Sequence, residues 1–195
     1  MTPMLGNVTR RGKIRKNWFF DCTCSRCRDP TELGTFASGV VCRDCVKEGR
    51  EGVLLPMDSL DYDSPWRCSQ DSCSVIIESS TIQAMISALE AELEGIDESN
   101  VEVLQDMLHN WLQVLHPQHY LQLLLKRKLL AALKLVTSSN PPRALLTQTI
   151  ALAEESIRIF DVLDPGLTIL RGRMVQYMNG PQLMVAKMDL QVCKT

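Results

Sequence analysis

The chain has 195 residues, of which 45% are hydrophobic, a formal net charge of −2 and eight cysteines. That is enough for one domain of ordinary size or two small ones, with apolar residues to spare for a core. The start lacks the basic and then apolar pattern of a signal peptide, and the most apolar stretch, LQLLLKRKLLAALKLV, is broken by Lys126, Arg127, Lys128 and Lys134, which excludes a membrane helix.

The expectation is a soluble intracellular chain, cytoplasmic or nuclear. In a reducing compartment eight cysteines point to metal rather than to disulfides. The charge is uneven. Residues 1–30 carry seven Lys/Arg against two Asp, a net of +5, and the remainder carries −7.

The first element is the basic run Arg10-Arg11-Gly12-Lys13-Ile14-Arg15-Lys16. It reads as a solvated helix; phosphate contacts are the alternative, weakened by the acidic remainder. Cys22-x-Cys24-x2-Cys27 follows. Three thiolates in one turn-rich segment make three quarters of a tetrahedral zinc site. The last cysteine, Cys193, reads as a free, half-buried thiol. The fourth position is therefore left to water or to a ligand from a segment outside this chain. Water there would suggest hydrolytic zinc, but the His-x-Glu signature of zinc deaminases is missing, and three thiolates blunt the acidity of the metal.

Next come Cys42-x2-Cys45 and Cys68-x4-Cys73, with 22 residues between the two pairs. Each pair can aim two thiolates at one ion, and the two pairs complete a tetrahedron with Zn–S of about 2.3 Å. The intervening GVLLPMDSLDYDSPW has the short apolar runs and turn residues of a small hairpin. This reads as a zinc ribbon, because so small a segment has too little core to fold unaided.

Beyond residue 78 the pattern is helical. Ile82, Met85, Ile86, Leu89 and Leu93 mark one helix, ended at Glu94-Gly95. Leu104, Met107, Leu108, Trp111 and Leu115 mark a second, stopped by Pro117, with Trp111 in the core. Leu121, Leu124, Leu125 and Leu129 begin a third, ended by Ser138-Ser139-Asn140-Pro141. Leu146, Ile150, Ala153, Ile157 and Phe160 mark a fourth, and Asp164-Pro165-Gly166 turns the chain. Leu167, Leu170, Met174 and Met178 open a fifth, interrupted at Asn179-Gly180-Pro181. Short connections predict antiparallel neighbours in a TPR-like array. His116 and His119 read as capping or packing residues, and Met174, Met178, Met184 and Met188 as core.

The motifs also carry a resemblance. Thr9-Arg10-Arg11, the Phe20-x-Cys22-x-Cys24-x2-Cys27 core and Arg28-Asp29-Pro30-Thr31-Glu32-Leu33-Gly34-Thr35 resemble the post-SET segment of SMYD-type proteins. These are the SET- and MYND-containing protein-lysine methyltransferases, and the arthropod SMYD-A branch looks most similar. Leu54-Leu55-Pro56, Trp66-x-Cys68, His116-Pro117-Gln118-His119-Tyr120 and Leu163-Asp164-Pro165-Gly166-Leu167 resemble that branch as well. The resemblance implies that the fourth ligand of Cys22, Cys24 and Cys27 comes from a SET-core Asn-His-Ser-Cys motif, which this sequence does not contain. It implies a chain that starts after the SET core, without the catalytic tyrosine, the MYND finger or the cofactor-binding glycine loop. Phe20 matches a family aromatic near S-adenosylmethionine and is expected here to pack beside the zinc.

The resulting expectation is a mostly α protein with a small, irregular, zinc-bound head. Residues 1–35 form a post-SET-like segment, 36–78 a zinc-ribbon-like segment, and 79–195 a TPR-like helical domain. The metal ligands are Cys42, Cys45, Cys68 and Cys73, and Cys22, Cys24 and Cys27, with zinc as the cofactor. Phe20 is a cofactor-side candidate if a SET core supplies S-adenosylmethionine binding. The expected role is a zinc-stabilised protein-interaction module, inactive as this chain. The alternatives are part of an active lysine methyltransferase and a zinc-ribbon nucleic-acid binder.

Overall fold

A computed structural model describes residues 2–136 and 141–192; Cys193 and Ser138-Ser139-Asn140 lie outside the described residues. Among the described residues there are eight α-helices and one small sheet. They divide into two compact units. The first runs to Ile96 and includes Asp106–Leu123; the second comprises Asp97–Gln105 and the chain from Leu124 onward.

The first unit begins with a 3-10 turn, Thr2–Met4, and helix α1, Asn7–Trp18. Gly6 stands before α1 because no side chain fits there: a Cβ would lie 2.6 Å from Ser38 Oγ and 2.8 Å from the Tyr120 ring. The buried face of α1 is polar, formed by Asn7, Arg10 and Arg11 at three- and four-residue spacing. Only part of the basic run is therefore solvated. Lys13, Arg15 and Lys16 are exposed, whereas Arg10 and Arg11 keep 5% and 3% of their surface. Arg11 donates to the Ser59 carbonyl at 3.1 Å and lies 4.6 Å over the Tyr62 ring, a partnered cation rather than a phosphate contact. Phe19 closes the helix in the left-handed region, with φ 59°. The four-residue helix α2, Ser25–Arg28, follows.

Four short strands come next: β1 (Val40–Val41), β2 (Val53–Pro56), β3 (Trp66–Cys68) and β4 (Ile76–Ile77). They form an antiparallel meander in chain order, with Val40 opposite Leu54, Leu54 opposite Cys68 and Trp66 opposite Ile77. The single hairpin expected from the sequence is thus extended on both sides. Strands of two residues are too short to show an alternating pattern. Helix α3, Arg43–Lys47, lies between β1 and β2.

Helix α4, Ser79–Glu94, ends at Gly95 as its sequence requires. Its start is tied down by Ser79 Oγ, which donates to the Tyr62 carbonyl at 2.7 Å. After α5, Val101–Trp111, the chain turns and runs beside β1. Val41 N donates to Val114 O at 2.8 Å, His116 N to Gly39 O at 3.0 Å and Tyr120 N to Ala37 O at 2.8 Å. Backbone pairing thus fills the interval before α6, Tyr120–Val136.

In the second unit, α7, Arg143–Leu163, buries Leu146, Thr149, Ala153, Ser156, Phe160 and Leu163 along one face. Gly166, at φ 104°, turns the chain into α8, Ile169–Val192. Arg171 bonds Asp161 at 2.7 Å near the turn, and Arg143 bonds Asp189 at the other end, so the two helices are antiparallel. Two details differ from expectation. Leu167 is fully exposed and precedes the helix. The helix also continues through Asn179-Gly180-Pro181 instead of breaking. Proline deletes one donor, toward the Tyr177 carbonyl, but packing against α7 holds the helix on both sides of that gap.

Pro181 also lines a cavity of about 130 Å³ with Leu130, Leu133, Leu146, Tyr177 and Met184. Pro181→Ala restores the missing donor and is expected to raise stability by about 1–3 kcal/mol, read from the denaturant midpoint. A lower midpoint would mean that the ring's packing outweighs the lost hydrogen bond.

Candidate functional site

Two cysteine groups assemble in the first unit, and among the described residues they are the sets able to hold a metal ion. Cys42 follows β1 and directly precedes α3, and Cys45 sits in the first turn of α3, where the Val46 N–H donates to the Cys42 carbonyl at 3.1 Å. The chain then doubles back through Gly49, φ 70°, so that Cys42 N reaches Gly52 O at 2.9 Å. Cys68 ends β3, and a turn closed by Cys73 N to Gln70 O at 3.0 Å brings Cys73 over it.

The four sulfurs lie within 4.8 Å of one another. Cys42 and Cys73 are 3.8 Å apart, and Cys45 and Cys68 are 3.6 Å apart. A regular tetrahedron with Zn–S of about 2.3 Å has edges of about 3.8 Å, whereas a disulfide requires about 2.05 Å. The spacing is that of metal ligands. All four are buried, at 0%, 0%, 5% and 6% exposure in chain order. Burial, then the neighbouring thiols, push Cys45 up to about 12. A dication reverses that balance and releases the protons. Zinc therefore fits the donor set.

Gly52 makes the approach possible. A Cβ there would fall 2.6 Å from the Cys45 sulfur and 2.9 Å from that of Cys68. Gly52→Ala is expected to weaken zinc binding at least tenfold in a chelator competition. Unchanged affinity would show that the loop can move aside without disturbing the sulfurs.

The second group is Cys22, half-buried, Cys24, exposed, and Cys27, buried. Cys24 and Cys27 sulfurs are 3.6 Å apart. The Arg10 guanidinium donates to the Cys27 sulfur at 3.1 Å. Burial nonetheless keeps the Cys27 thiol high, at about 11. Cys24 is held at about 7: its modest desolvation is outweighed by the backbone N–H of Cys27, its sulfur neighbours and the charge of Arg10. These three sulfurs also fit zinc, with three donors in place.

A buried ionic network supports this group. Glu32 Oε2 accepts from Arg26 Nε at 2.9 Å and from Arg10 Nη2 at 3.4 Å. Its Oε1 accepts from Asn7 N at 3.1 Å and from the Ser38 hydroxyl. Asn7 in turn donates to the Cys27 carbonyl at 2.9 Å. Arg26 also donates to the Leu5 carbonyl at 2.8 Å. Sequence reasoning missed this network, since a loop glutamate carries no periodic signal. The left-handed backbone at Glu32, Leu33 and Phe36 (φ 50°, 64° and 52°) is equally silent in the sequence.

Phe20 is not packed away beside the cysteines; it is 54% exposed, between Phe19 at 88% and the trio. Trp18 is 56% exposed, so three consecutive aromatics face solvent. The histidines do not join a metal group. His119 is fully buried and accepts the Leu121 N–H on Nδ1 at 3.2 Å, and burial pushes it down to about 3. His116 Nδ1 accepts the Gln118 N–H at 3.2 Å, and its ring lies 4.9 Å from that of Phe36. Packing and turn formation account for both.

No family model matches the chain. It is 36% identical over 63 residues to the SET domain-containing protein SmydA-8, isoform A, of Drosophila melanogaster; the match covers 32% of this chain and 13% of that protein. Isoform B is 41% identical over 49 residues, 25% of this chain and 10% of the relative. Part of this chain is therefore related to the SMYD-type SET-domain proteins, and the match spans only a small fraction of their length. No helix among the described residues is long and apolar enough to cross a membrane.

Proposed function

We propose that this chain is a zinc-stabilised protein-interaction module on a SET-domain methyltransferase scaffold, inactive by itself, with a TPR-like helical half and a cytoplasmic or nuclear location. The observation that carries the proposal is the pairing of a closed cysteine quartet with an open trio. The quartet is internal and acts as a folding device. The trio keeps Cys24 exposed and follows Trp18, Phe19 and Phe20 in the chain, three exposed aromatics suited to a protein partner that supplies a further donor.

A second reading is an active S-adenosylmethionine-dependent lysine methyltransferase, favoured by the match to a SET domain-containing protein. Methyl transfer requires the sulfonium donor held in line with the amine, so cofactor binding comes first. Calorimetric titration of S-adenosylmethionine into the zinc-loaded chain is expected to give no heat of binding in the micromolar range. Micromolar affinity would replace the interaction reading with the enzyme, with Phe20 as the cofactor-side residue to mutate. Binding to DNA that weakens steeply with salt would support a nucleic-acid role instead, carried by Lys13, Arg15 and Lys16.

A further inference from the structure

We propose that Cys24 and Cys27 form an oxidisable dithiol, which a hydroperoxide converts to a disulfide, expelling the metal ion from the Cys22, Cys24 and Cys27 group. The inference rests on the reading that this trio holds zinc. Its geometric basis is the difference between the two cysteine groups.

In both groups, neighbouring sulfurs are 3.6–3.8 Å apart, so each pair needs to close by less than 2 Å to bond. Separation therefore does not distinguish them; access does. Every sulfur-bearing residue of the quartet is at most 6% exposed, while Cys24 is open to solvent and Cys27 lies directly beneath it. Cys24 precedes α2 and Cys27 lies within it, so two residues separate them, a span that redox-active dithiols use. The Arg10 side chain, 3.1 Å from Cys27 and anchored on Glu32, holds the second sulfur in place.

The chemistry balances with peroxide as the two-electron oxidant. The Cys24 sulfur attacks one peroxide oxygen; the O–O bond breaks, an S–O bond forms, and the hydroxide released takes up a proton to leave as water. The Cys27 sulfur then attacks the Cys24 sulfur. The S–S bond forms, the S–O bond breaks, and the departing hydroxide takes a proton from solvent to leave as a second water, since zinc-bound Cys27 is already a thiolate. Two sulfurs have lost two electrons and two thiolate donors are gone. One cysteine, Cys22, cannot retain the ion.

The test treats the full zinc-loaded chain with hydrogen peroxide, follows zinc with a chromophoric chelator and maps disulfides by mass spectrometry. The expected result is release of one of two zinc ions, a Cys24–Cys27 disulfide, Cys22 still open to alkylation, and reversal by dithiothreitol with added zinc. Cys24→Ser should slow the release at least tenfold and leave the ribbon zinc in place. Because that substitution can itself weaken the metal site, the wild-type disulfide map is decisive. A zinc content of one ion before peroxide refutes the zinc reading of the trio, and the disulfide map still decides the pair. Oxidation of Cys42, Cys45, Cys68 or Cys73 first, a disulfide to Cys22, or thiols that all stay alkylatable would overturn the proposal.

Discussion

Stripping the quartet of zinc with a strong chelator is expected to unfold the first unit, with the emission of buried Trp66 and Trp111 moving to the red. Trp66 is 4% exposed in β3 and Trp111 3% exposed, whereas Trp18 is already half open and contributes little change. The expected size follows from magnitudes. Structural zinc held by thiolates is worth about 10–16 kcal/mol, and the whole stability of a domain is about 5–15 kcal/mol. Strands of two to four residues cannot replace that contribution from their own burial. The damage does not stay local. The loop between β2 and β3 holds Arg11 of α1 through the Ser59 carbonyl and the Tyr62 ring, and holds the start of α4 through Ser79. Cys45→Ser is expected to act in the same direction with a smaller effect, since three thiolates remain. Returned zinc should restore the wild-type spectrum. A chelated chain with unchanged emission and an unchanged denaturation midpoint would refute a structural role for the metal.

Which features could be read from the sequence follows from how each is specified. The ribbon was legible because a tetrahedral ion demands two close pairs, and Cys42-x2-Cys45 with Cys68-x4-Cys73 supplies them whatever the surrounding fold. Helix positions were legible where a stop is chemical and local, as at Gly95 and Gly166, whereas α5 ends at Trp111, before Leu115 and the expected stop at Pro117, because Leu115 pairs with Val40 instead. Pro181 shows the limit of that logic. A local stop signal costs about 3 kcal/mol, and α8, packed along α7, tolerates it. The trio was legible as a group, but its surroundings were not. Arg10 read as part of a solvated helix, and nothing in a one-dimensional pattern says that Glu32 will meet Arg10 and Arg26, 22 and 6 positions away. Strands β1 and β4, two residues each, lie below the length at which alternation means anything.

Glu32→Ala is expected to destabilise the first unit by about 3–5 kcal/mol, the cost of leaving buried charge without its partner. Both ends of the interaction are enclosed: the side chains of Arg10, Arg26 and Glu32 are 6%, 8% and 1% exposed. Removing the carboxylate takes the counter-charge from two guanidinium groups and the acceptor from the Ser38 hydroxyl, and leaves the Asn7 N–H with its bond to Ser38 Oγ alone. It also releases the segment whose left-handed residues Glu32, Leu33 and Phe36 cost about 1–3 kcal/mol each and persist only while their surroundings fix them. Glu32→Gln preserves the shape but removes the charge and points an amide donor toward donors, so it should cost nearly as much. Urea unfolding of zinc-saturated protein is the measurement. With a slope of about 1–3 kcal/mol per molar, the midpoint should fall by roughly 1–5 M at unchanged slope. A double-mutant cycle with Arg26→Ala then separates the pair from the loop: strong coupling places the cost in the ion pair, and additivity places it in the backbone that Glu32 holds. A loss below about 1 kcal/mol in both Glu32 variants would mean that water reaches the carboxylate and that the network is not what fixes Arg10 against Cys27.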